Sequence, residues 1–127
     1  MTAPHAPDIR IAASVRHVAE QSDPAHARYV FAYRIRINNA SAQIVQLISR
    51  HWIITRDDGS VEEVRGDGVV GEQPVLAPGE TFEYVSGCLL PTPVGTMHGS
   101  YQMVAADGQR FDAPIAPFTL AAPGVLN

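Results

Sequence analysis

The sequence predicts an all-β protein in which two antiparallel sheets form a sandwich of about seven strands. Apolar side chains recur at every second residue in several segments, which is the period of a half-buried strand. No stretch keeps the 3.6-residue period of a helix. Ten glycines and ten prolines divide the 127 residues into short segments, as in sandwich domains. We expect a flexible N-terminal arm, residues 1–7, and a single sandwich domain, residues 8–127.

The first four predicted strands lie between residues 8 and 64. Residues 9–15 alternate apolar with polar side chains, and residues 29–37 show the clearest alternation of the chain. A turn is expected over Asn38–Ser41. Residues 44–55 are apolar at both odd and even positions, so we expect a central strand covered on both faces. Asp57-Asp58-Gly59 is a hairpin signal before a strand at residues 61–64.

The second half of the chain repeats this pattern of strands and turns. Pro78-Gly79 suits a type II turn before a strand at residues 81–86. A proline-rich connection is expected over residues 90–95, followed by strands at 97–105 and 110–120 that Asp107-Gly108 joins. Two prolines lie inside the last strand, which therefore belongs at a sheet edge or carries a bulge.

The type of sandwich follows from one tryptophan and one cysteine. Trp52 on the third strand occupies a position where immunoglobulin-like domains often bury a tryptophan. The disulfide that accompanies that tryptophan is excluded, because Cys88 is the only cysteine. A disulfide-free sandwich of the immunoglobulin or fibronectin type III kind is therefore the better fit.

Composition excludes several classes of function. The net charge is −4, which argues against nucleic acid as a principal partner. All nine basic residues are arginine, so lysine-dependent phosphate loops and Schiff-base chemistry are excluded. No apolar run is long enough to cross a membrane, and no signal peptide is visible. With a single cysteine, these features predict a cytoplasmic protein without a membrane partner.

Residues 65–74 contain a Gly-x-Gly-x-x-Gly spacing, which in nucleotide-binding proteins brings backbone amides to a phosphate at a helix N-terminus. Pro74 and the Pro78-Gly79 turn forbid that helix. Two interpretations stay open. The glycines can supply positive φ at a bulge, or the loop can bind phosphate through a nest of amides, with the repulsion of Asp67 and Glu72 against it. The candidate phosphate-binding residues are Arg65, Gly66, Gly68, Gly71 and Gln73.

Catalytic and metal-binding patterns are weak. The five histidines do not show the i, i+2 or i, i+4 spacing that places two ligands on one face, and we predict no dedicated metal site. Ser86 lacks the glycine two residues upstream that a nucleophile elbow requires. Cys88 has no neighbouring base, and His51 is more readily explained as a histidine bonded to the backbone. We expect neither enzymatic activity nor a cofactor.

A sandwich also offers open edge strands to partners. Residue types that are common at protein interfaces give four interaction candidates, with core packing as the alternative role for the aromatic ones: Arg50, Trp52, Tyr84 and Tyr101. We expect an unidentified protein partner, and a weak symmetric homodimer through an edge is an open alternative.

Six runs in fixed order carry a family resemblance: Tyr29–Tyr33, Leu47–Ile53, Val64–Pro74, Leu76–Glu80, Tyr84–Gly87 and Gly95–Tyr101. Over residues 8–127 the chain resembles the ApaG family of small bacterial proteins. The resemblance implies an immunoglobulin- or fibronectin-like sandwich with no agreed catalytic residues. It also implies an association with cobalt resistance and magnesium efflux, and a role in protein–protein interaction.

We therefore expect a non-enzymatic interaction module. The alternative is a protein that binds phosphate or a nucleotide, such as a dinucleoside polyphosphate, through the glycine loop 66–71. Direct binding of a divalent cation or of polyphosphate stays open.

Overall fold

The computed structural model describes residues 6–124, which form an antiparallel sandwich of two sheets. The predicted fold class is confirmed, with eight strands in place of about seven. The strands are β1 (Ile9–His17), β2 (Tyr29–Asn39), β3 (Val45–Arg56), β4 (Val61–Asp67), β5 (Val75–Leu76), β6 (Thr81–Leu90), β7 (Val94–Ala105) and β8 (Arg110–Ala121). Most of the predicted N-terminal arm, residues 1–5, lies outside the described residues, as do residues 125–127.

The two sheets differ in size. One contains three strands in the order β1-β2-β6, and the other contains β4-β3-β7-β8, with the short β5 beside β3. The outer strands are therefore β1 and β6 in one sheet and β4 and β8 in the other. The edge position expected for the proline-containing last strand is confirmed in β8, and a bulge interrupts its pairing with β7. Between residues 6 and 124, no helix has the length and hydropathy needed to cross a bilayer.

The core lies between the sheets and follows the alternation of β2. Phe31, Tyr33, Ile35 and Ile37 are all buried, as the period-two pattern predicts. Trp52 packs against them from β3, and the edge-to-face contact of its ring with Tyr33 has a centroid separation of 5.6 Å. The tryptophan is thus buried without the disulfide of an antibody domain, as expected for this type of sandwich.

The expectation that β3 is covered on both faces is wrong, and a bulge is the reason. Val45 and Leu47 face the core at odd positions, whereas Trp52 and Ile54 face it at even positions. The pairing of β3 with β7 shifts register between Leu47 and Ser49. Since a bulge inserts one extra residue, the inward-facing positions change from odd to even residue numbers there. Apolar residues therefore occur at both odd and even positions of β3, although only one face of the sheet packs on the core.

The predicted turn over Asn38–Ser41 begins later than expected, because β2 continues through Asn39. Asn39 is fully buried, and its side-chain amide donates to the carbonyls of Gln43, at 2.7 Å, and Leu76, at 3.0 Å. Its Oδ1 accepts the backbone N–H of Ser41 at 3.1 Å. Asn39 therefore replaces main-chain pairing where the β2–β3 connection meets β5.

The turn before β6 has the expected geometry, but the following connection does not. Gly79 has φ +86°, and the N–H of Glu80 donates to the carbonyl of Ala77 at 3.0 Å, as in a type II turn. The strand predicted at residues 81–86 continues to Leu90, and β7 already begins at Val94. The proline-rich connection expected over residues 90–95 is therefore limited to residues 91–93. The full length of β6 creates one side of a cleft between the two sheets.

Candidate functional site

The glycine loop begins where β4 ends and closes in a two-residue turn. Val69 and Glu72 exchange both backbone hydrogen bonds, at 2.8 and 2.9 Å. Val70 and Gly71 between them have φ values of +44° and +80°, the signs that a type I′ hairpin turn requires at both positions. A β-branched residue rarely adopts positive φ, so Val70 is strained. Its side chain is 54% exposed.

Gly68 is required for steric reasons, and Gly66 allows the end of the Arg50 side chain to pack on the backbone. Gly68 has φ +62°, and a Cβ at this position would collide with the carbonyl oxygen of Glu72. A Cβ on Gly66 would lie 2.7 Å from the guanidinium carbon of Arg50. These contacts support the interpretation in which the glycines shape the loop.

The polarity of the loop differs from that of an anion-binding nest. The N–H of Gly68 donates to the carbonyl of Ile48 at 2.8 Å, and the N–H groups of Val69 and Glu72 bond each other's carbonyls. The loop carbonyls, by contrast, point toward a cation. The Nη1 of Arg50 donates to the carbonyl oxygens of Asp67 and Gly68, both at 2.9 Å. Phosphate binding by the loop amides stays a prediction.

Arg50 occupies an unusual place for a charged residue. It precedes Trp52 by two positions on β3, so its side chain leaves the sheet on the core side. There it packs on the backbone of Gly66 and reaches the loop carbonyls. Among residues 6–124, no carboxylate lies within ion-pair distance of its guanidinium.

Arg50 lines a cleft between the two sheets, where the glycine loop and β4 face β6. Two adjoining recesses, of about 290 and 220 Å³, share four residues: Tyr33, Arg50, Trp52 and Ser86. The first recess extends to the turn at Val70 and the second to Cys88. Because β4 and β6 are both outer strands, the layers are not closed by backbone pairing on this side. We call this recess the Arg50 cleft.

Tyrosine hydroxyls surround the cleft in protonated form. The hydroxyls of Tyr84 and Tyr101 lie 2.5 Å apart. Burial raises the pKa of Tyr84 to about 12 and raises that of Tyr101 further. Burial also raises the pKa of Tyr33, against smaller opposing effects of Ser86 and of the Arg50 charge. At neutral pH these groups are neutral and able to donate hydrogen bonds.

Three of the four predicted interaction residues, Arg50, Trp52 and Tyr84, line this cleft, and Tyr101 lies in the core behind Tyr84. Trp52, Tyr84 and Tyr101 are at most 7% exposed, which agrees with core packing, the alternative role given above for the aromatic candidates. Their positions within β3, β6 and β7 direct them inward, so packing is their main role. Arg50 alone among the four keeps a partly exposed side chain.

The predicted phosphate-binding residues do not all lie on the same side of the five-stranded sheet. Arg65 pairs in register with His51, and its exposed side chain lies 3.8 Å from Glu63 on the outer face of the five-stranded sheet. The side-chain amide of Gln73 donates to the carbonyl of Ile48 at 2.9 Å. The loop glycines lie at the Arg50 cleft, so Arg65 does not extend the same site.

A separate, shallow polar groove of about 440 Å³ lies on the outer face of the five-stranded sheet, away from the Arg50 cleft. His51 bonds Glu63 through Nε2 at 2.8 Å. Ser49 donates to Gln102, whose amide donates in turn to the hydroxyl of Ser100, each at 2.9 Å. These side chains satisfy one another, and no group of three potential metal ligands forms among residues 6–124.

Sequence reasoning missed two features around β6, one in the cleft and one on the outward face of the strand. Ser86 and Tyr33 line it beside Arg50, and the pairing of Tyr33 with Ser86 across β2 and β6 brings them together. It also missed the exposed apolar residues of β6, Val85 and Leu89, which are 53% and 52% exposed. The alternation of residues 81–86 already places Val85 outward, and its continuation to residue 90 is the signal that could have revealed Leu89.

The fold and the cleft define a class: a disulfide-free, immunoglobulin- or fibronectin-like β-sandwich with a recess between two open sheet edges. A family model described as the ApaG domain matches residues 19–105. Protein ApaG of Thiobacillus denitrificans is 63% identical over 119 residues, which are 94% of each chain. Protein ApaG of Bordetella pertussis is 57% identical over 120 residues, 94% of this chain and 92% of that one. The chain belongs to the ApaG family.

Solved structures agree with the architecture. A Bordetella pertussis protein whose crystal structure bears the name ApaA superposes with a TM-score of 0.90 at 56% identity, covering 94% of this chain and 97% of that one. A second X-ray structure superposes with a TM-score of 0.87 at 44% identity, covering 92% and 89% of the two chains.

Proposed function

We propose that this protein is a non-enzymatic interaction module that adds an extended segment of a protein partner to strand β6. The observation that carries the proposal is the unprotected edge of this strand. Outer strands expose unpaired N–H and C=O groups, and proteins usually protect them with charges, prolines or bulges. Peptides are often bound by such edges through main-chain hydrogen bonds.

The other three outer strands carry such protection. It consists of two exposed arginines on β1, two glutamates and an arginine on β4, and two prolines on β8: Arg10, Arg16, Glu62, Glu63, Arg65, Pro114 and Pro117. Strand β6 is ten residues long and exposes Val85 and Leu89 on its outer face. Its one charged side chain, Glu83, lies 3.5 Å from Arg34 of the neighbouring strand.

The pairing with β2 determines which backbone groups of β6 are available. The N–H of Asn39 donates to the carbonyl of Glu80 at 2.9 Å, and bonded and non-bonded pairs alternate along an antiparallel ladder. The N–H and C=O groups of Glu83, Val85, Gly87 and Leu89 therefore point to the free edge. A hollow of about 190 Å³ beside Val85 can receive a partner side chain.

The test uses a substitution that acts on the edge alone. Val85→Pro removes one outward N–H and leaves the bonds to β2 intact. Val61→Lys is the matched control, because Val61 has a similar exposed fraction, 58%, on the opposite sheet. A partner captured with tagged protein is purified, and its affinity is measured by calorimetry. We expect at least about tenfold weaker binding for Val85→Pro and no change for Val61→Lys. Equal binding by all three proteins would refute the proposal.

Hydrogen exchange gives an independent readout. In the free protein, the amides of Glu83, Val85, Gly87 and Leu89 exchange fast, and in the complex they become protected. Protection at β4 or β8 instead would place the partner elsewhere. A second copy of the chain can use the same edge, and sedimentation velocity separates such a homodimer from a complex with another protein.

The absence of catalysis is part of the proposal and has chemical support. Burial, with a smaller contribution from the charge of Glu62, raises the pKa of the Cys88 thiol to about 11, so the thiol is protonated at neutral pH. The polar groove around His51 is internally hydrogen-bonded. We also propose a cytoplasmic setting, and that the cobalt and magnesium association implied by the family acts through the partner.

The alternative proposal is phosphate or nucleotide binding at the glycine loop 66–71. Its support is the position of the loop at the mouth of a cleft that contains a cation, Arg50. The two proposals predict different behaviour, since strand addition at β6 is insensitive to added nucleotide. Loss of the captured partner on addition of ATP would favour the alternative.

A further inference from the structure

We infer that the Arg50 cleft is an oxyanion site, in which the Nε and Nη2 groups of Arg50 bind a carboxylate or phosphate group. The inference does not depend on strand addition at β6. It places the anion on a side chain between the sheets instead of on the amides of the glycine loop.

The first argument is the incomplete pairing of the Arg50 charge. The Arg50 side chain is half-buried, and its donors without a protein partner stay open to the cleft and to solvent. Nη1 is satisfied by the carbonyls of Asp67 and Gly68. Among residues 6–124, neither Nε nor Nη2 has a hydrogen-bond partner, and no carboxylate forms an ion pair with them. A guanidinium offers five donors in a fixed plane, so three of them are available here.

The second argument is the geometry of the available donors. The Nε–H and one Nη2–H of an arginine lie on one edge and match the two oxygens of a carboxylate or phosphate. Because the loop carbonyls and the backbone of Gly66 hold the guanidinium in place, little side-chain entropy is lost on binding. The glycine spacing thus has a functional consequence: it positions the arginine.

The third argument is the presence of neutral donors in the same cleft. The side chains of Tyr33 and Ser86 line it together with Arg50. Burial keeps the Tyr33 hydroxyl protonated, so it can donate to an anion. The hydroxyl of Tyr84 is already bonded to Tyr101.

The mouth of the cleft favours an anion with an apolar group. Asp67 contributes its backbone carbonyl to the recess, whereas its side chain shares the outer face of the sheet with Arg65, two residues earlier on β4. The exposed side chain of Val70 lines the mouth and offers an apolar contact. An oxyanion with an adjoining apolar group therefore fits the cleft best.

The test is an NMR titration of labelled protein with sodium acetate and, separately, with inorganic phosphate, at constant ionic strength against sodium chloride. The signals to follow are the Arg50 Nε–H and the amides of Gly66, Gly68 and Ser86. We expect saturable shifts with at least one probe. The acetate and phosphate arms show whether a carboxylate or a phosphate group is preferred.

Variants make the assignment specific. Arg50→Lys keeps the charge but loses the two-donor edge, and we expect roughly tenfold weaker binding. Arg65→Gln is the matched control, because Arg65 lies on the other side of the sheet. Its affinity should equal that of the unsubstituted protein.

Several results would overturn the inference. One is an Arg50→Lys variant that binds as tightly as the parent while its spectrum shows a folded protein. Another is a set of shifts that chloride reproduces, or that do not saturate with either probe. Saturable shifts of the loop amides with no movement of the Arg50 Nε–H would return the site to the glycine loop.

Discussion

Alanine substitutions at Gly68 and Gly71 test directly whether the loop glycines are structural. Both residues have positive φ, +62° and +80°, so an added Cβ meets the same kind of backbone strain at each. That strain is about 1–2 kcal/mol for a residue other than glycine. The two positions differ in their surroundings. Nothing lies within 4 Å of a Cβ at Gly71, whereas a Cβ at Gly68 collides with the carbonyl oxygen of Glu72.

The collision of the Cβ at position 68 with the Glu72 carbonyl determines how much the two variants should differ in stability. Overpacking against a rigid neighbour costs typically about 1–3 kcal/mol. The carbonyl that must move also accepts the N–H of Val69 in the turn, a bond that contributes about 1 kcal/mol. We therefore expect Gly68→Ala to lower the free energy of unfolding by about 3–6 kcal/mol, and Gly71→Ala by about 1–2 kcal/mol.

The assay is urea unfolding followed by tryptophan fluorescence, since Trp52 is the only tryptophan and is 3% exposed. The change in midpoint gives the change in stability as long as the m-value stays constant. If the two variants differ by less than about 0.5 kcal/mol, a typical error of such comparisons, the steric account of Gly68 is refuted. A fully stable Gly68→Ala protein would also reopen the role of this glycine in ligand binding.

Three further predictions concern other parts of the fold. Val70→Asn should raise the free energy of unfolding by about 1 kcal/mol in the same assay, because asparagine adopts the φ of +44° more readily than valine. A loss of stability would show that the Val70 backbone is not strained. Asn39→Ala should lower it by about 2–4 kcal/mol, since two buried carbonyls lose their donor, whereas the more exposed Asn38→Ala should change it by less than about 1 kcal/mol. Cys88 should react with a thiol reagent at pH 8 roughly 100-fold more slowly than in the urea-unfolded chain, because its pKa is raised from 9.0 to about 11. As the unfolded chain loses this proton first, stability should fall as the pH rises from 9 to 11, and a Cys88→Ala variant should show less of that decline.

The predictions from sequence agree best with the structure where the conformation depends on interactions within a few residues. Strand β2 was predicted from alternation alone, and its inward residues are those that the pattern indicated. The turn at Gly79 followed from the restricted φ of proline and the freedom of glycine, which act within a few residues. The edge position of β8 followed from the N–H groups that its two prolines lack.

The failures come from interactions between distant segments. The bulge in β3 depends on its register with β7, more than fifty residues away, and it changed the meaning of an apolar run. Asn39 was assigned to a turn because its type is common there, but its burial depends on Leu76. The hydrogen bonds of Arg50 could not be anticipated for the same reason, since the carbonyls that accept them belong to another strand and its loop.

The fold class, most strands and several turns follow from the amino-acid sequence alone, because periodicity, proline geometry and glycine conformations are properties of short segments. The family resemblance rests on the matching runs of residues instead. The tertiary structure alone decided which strands became outer strands, and therefore that β4 and β6 face each other across an open cleft. It also decided that Trp52 packs in the core while Arg50, two residues earlier, lines that cleft. Exposure depends on which distant segments become neighbours, and that is settled only when the two sheets pack.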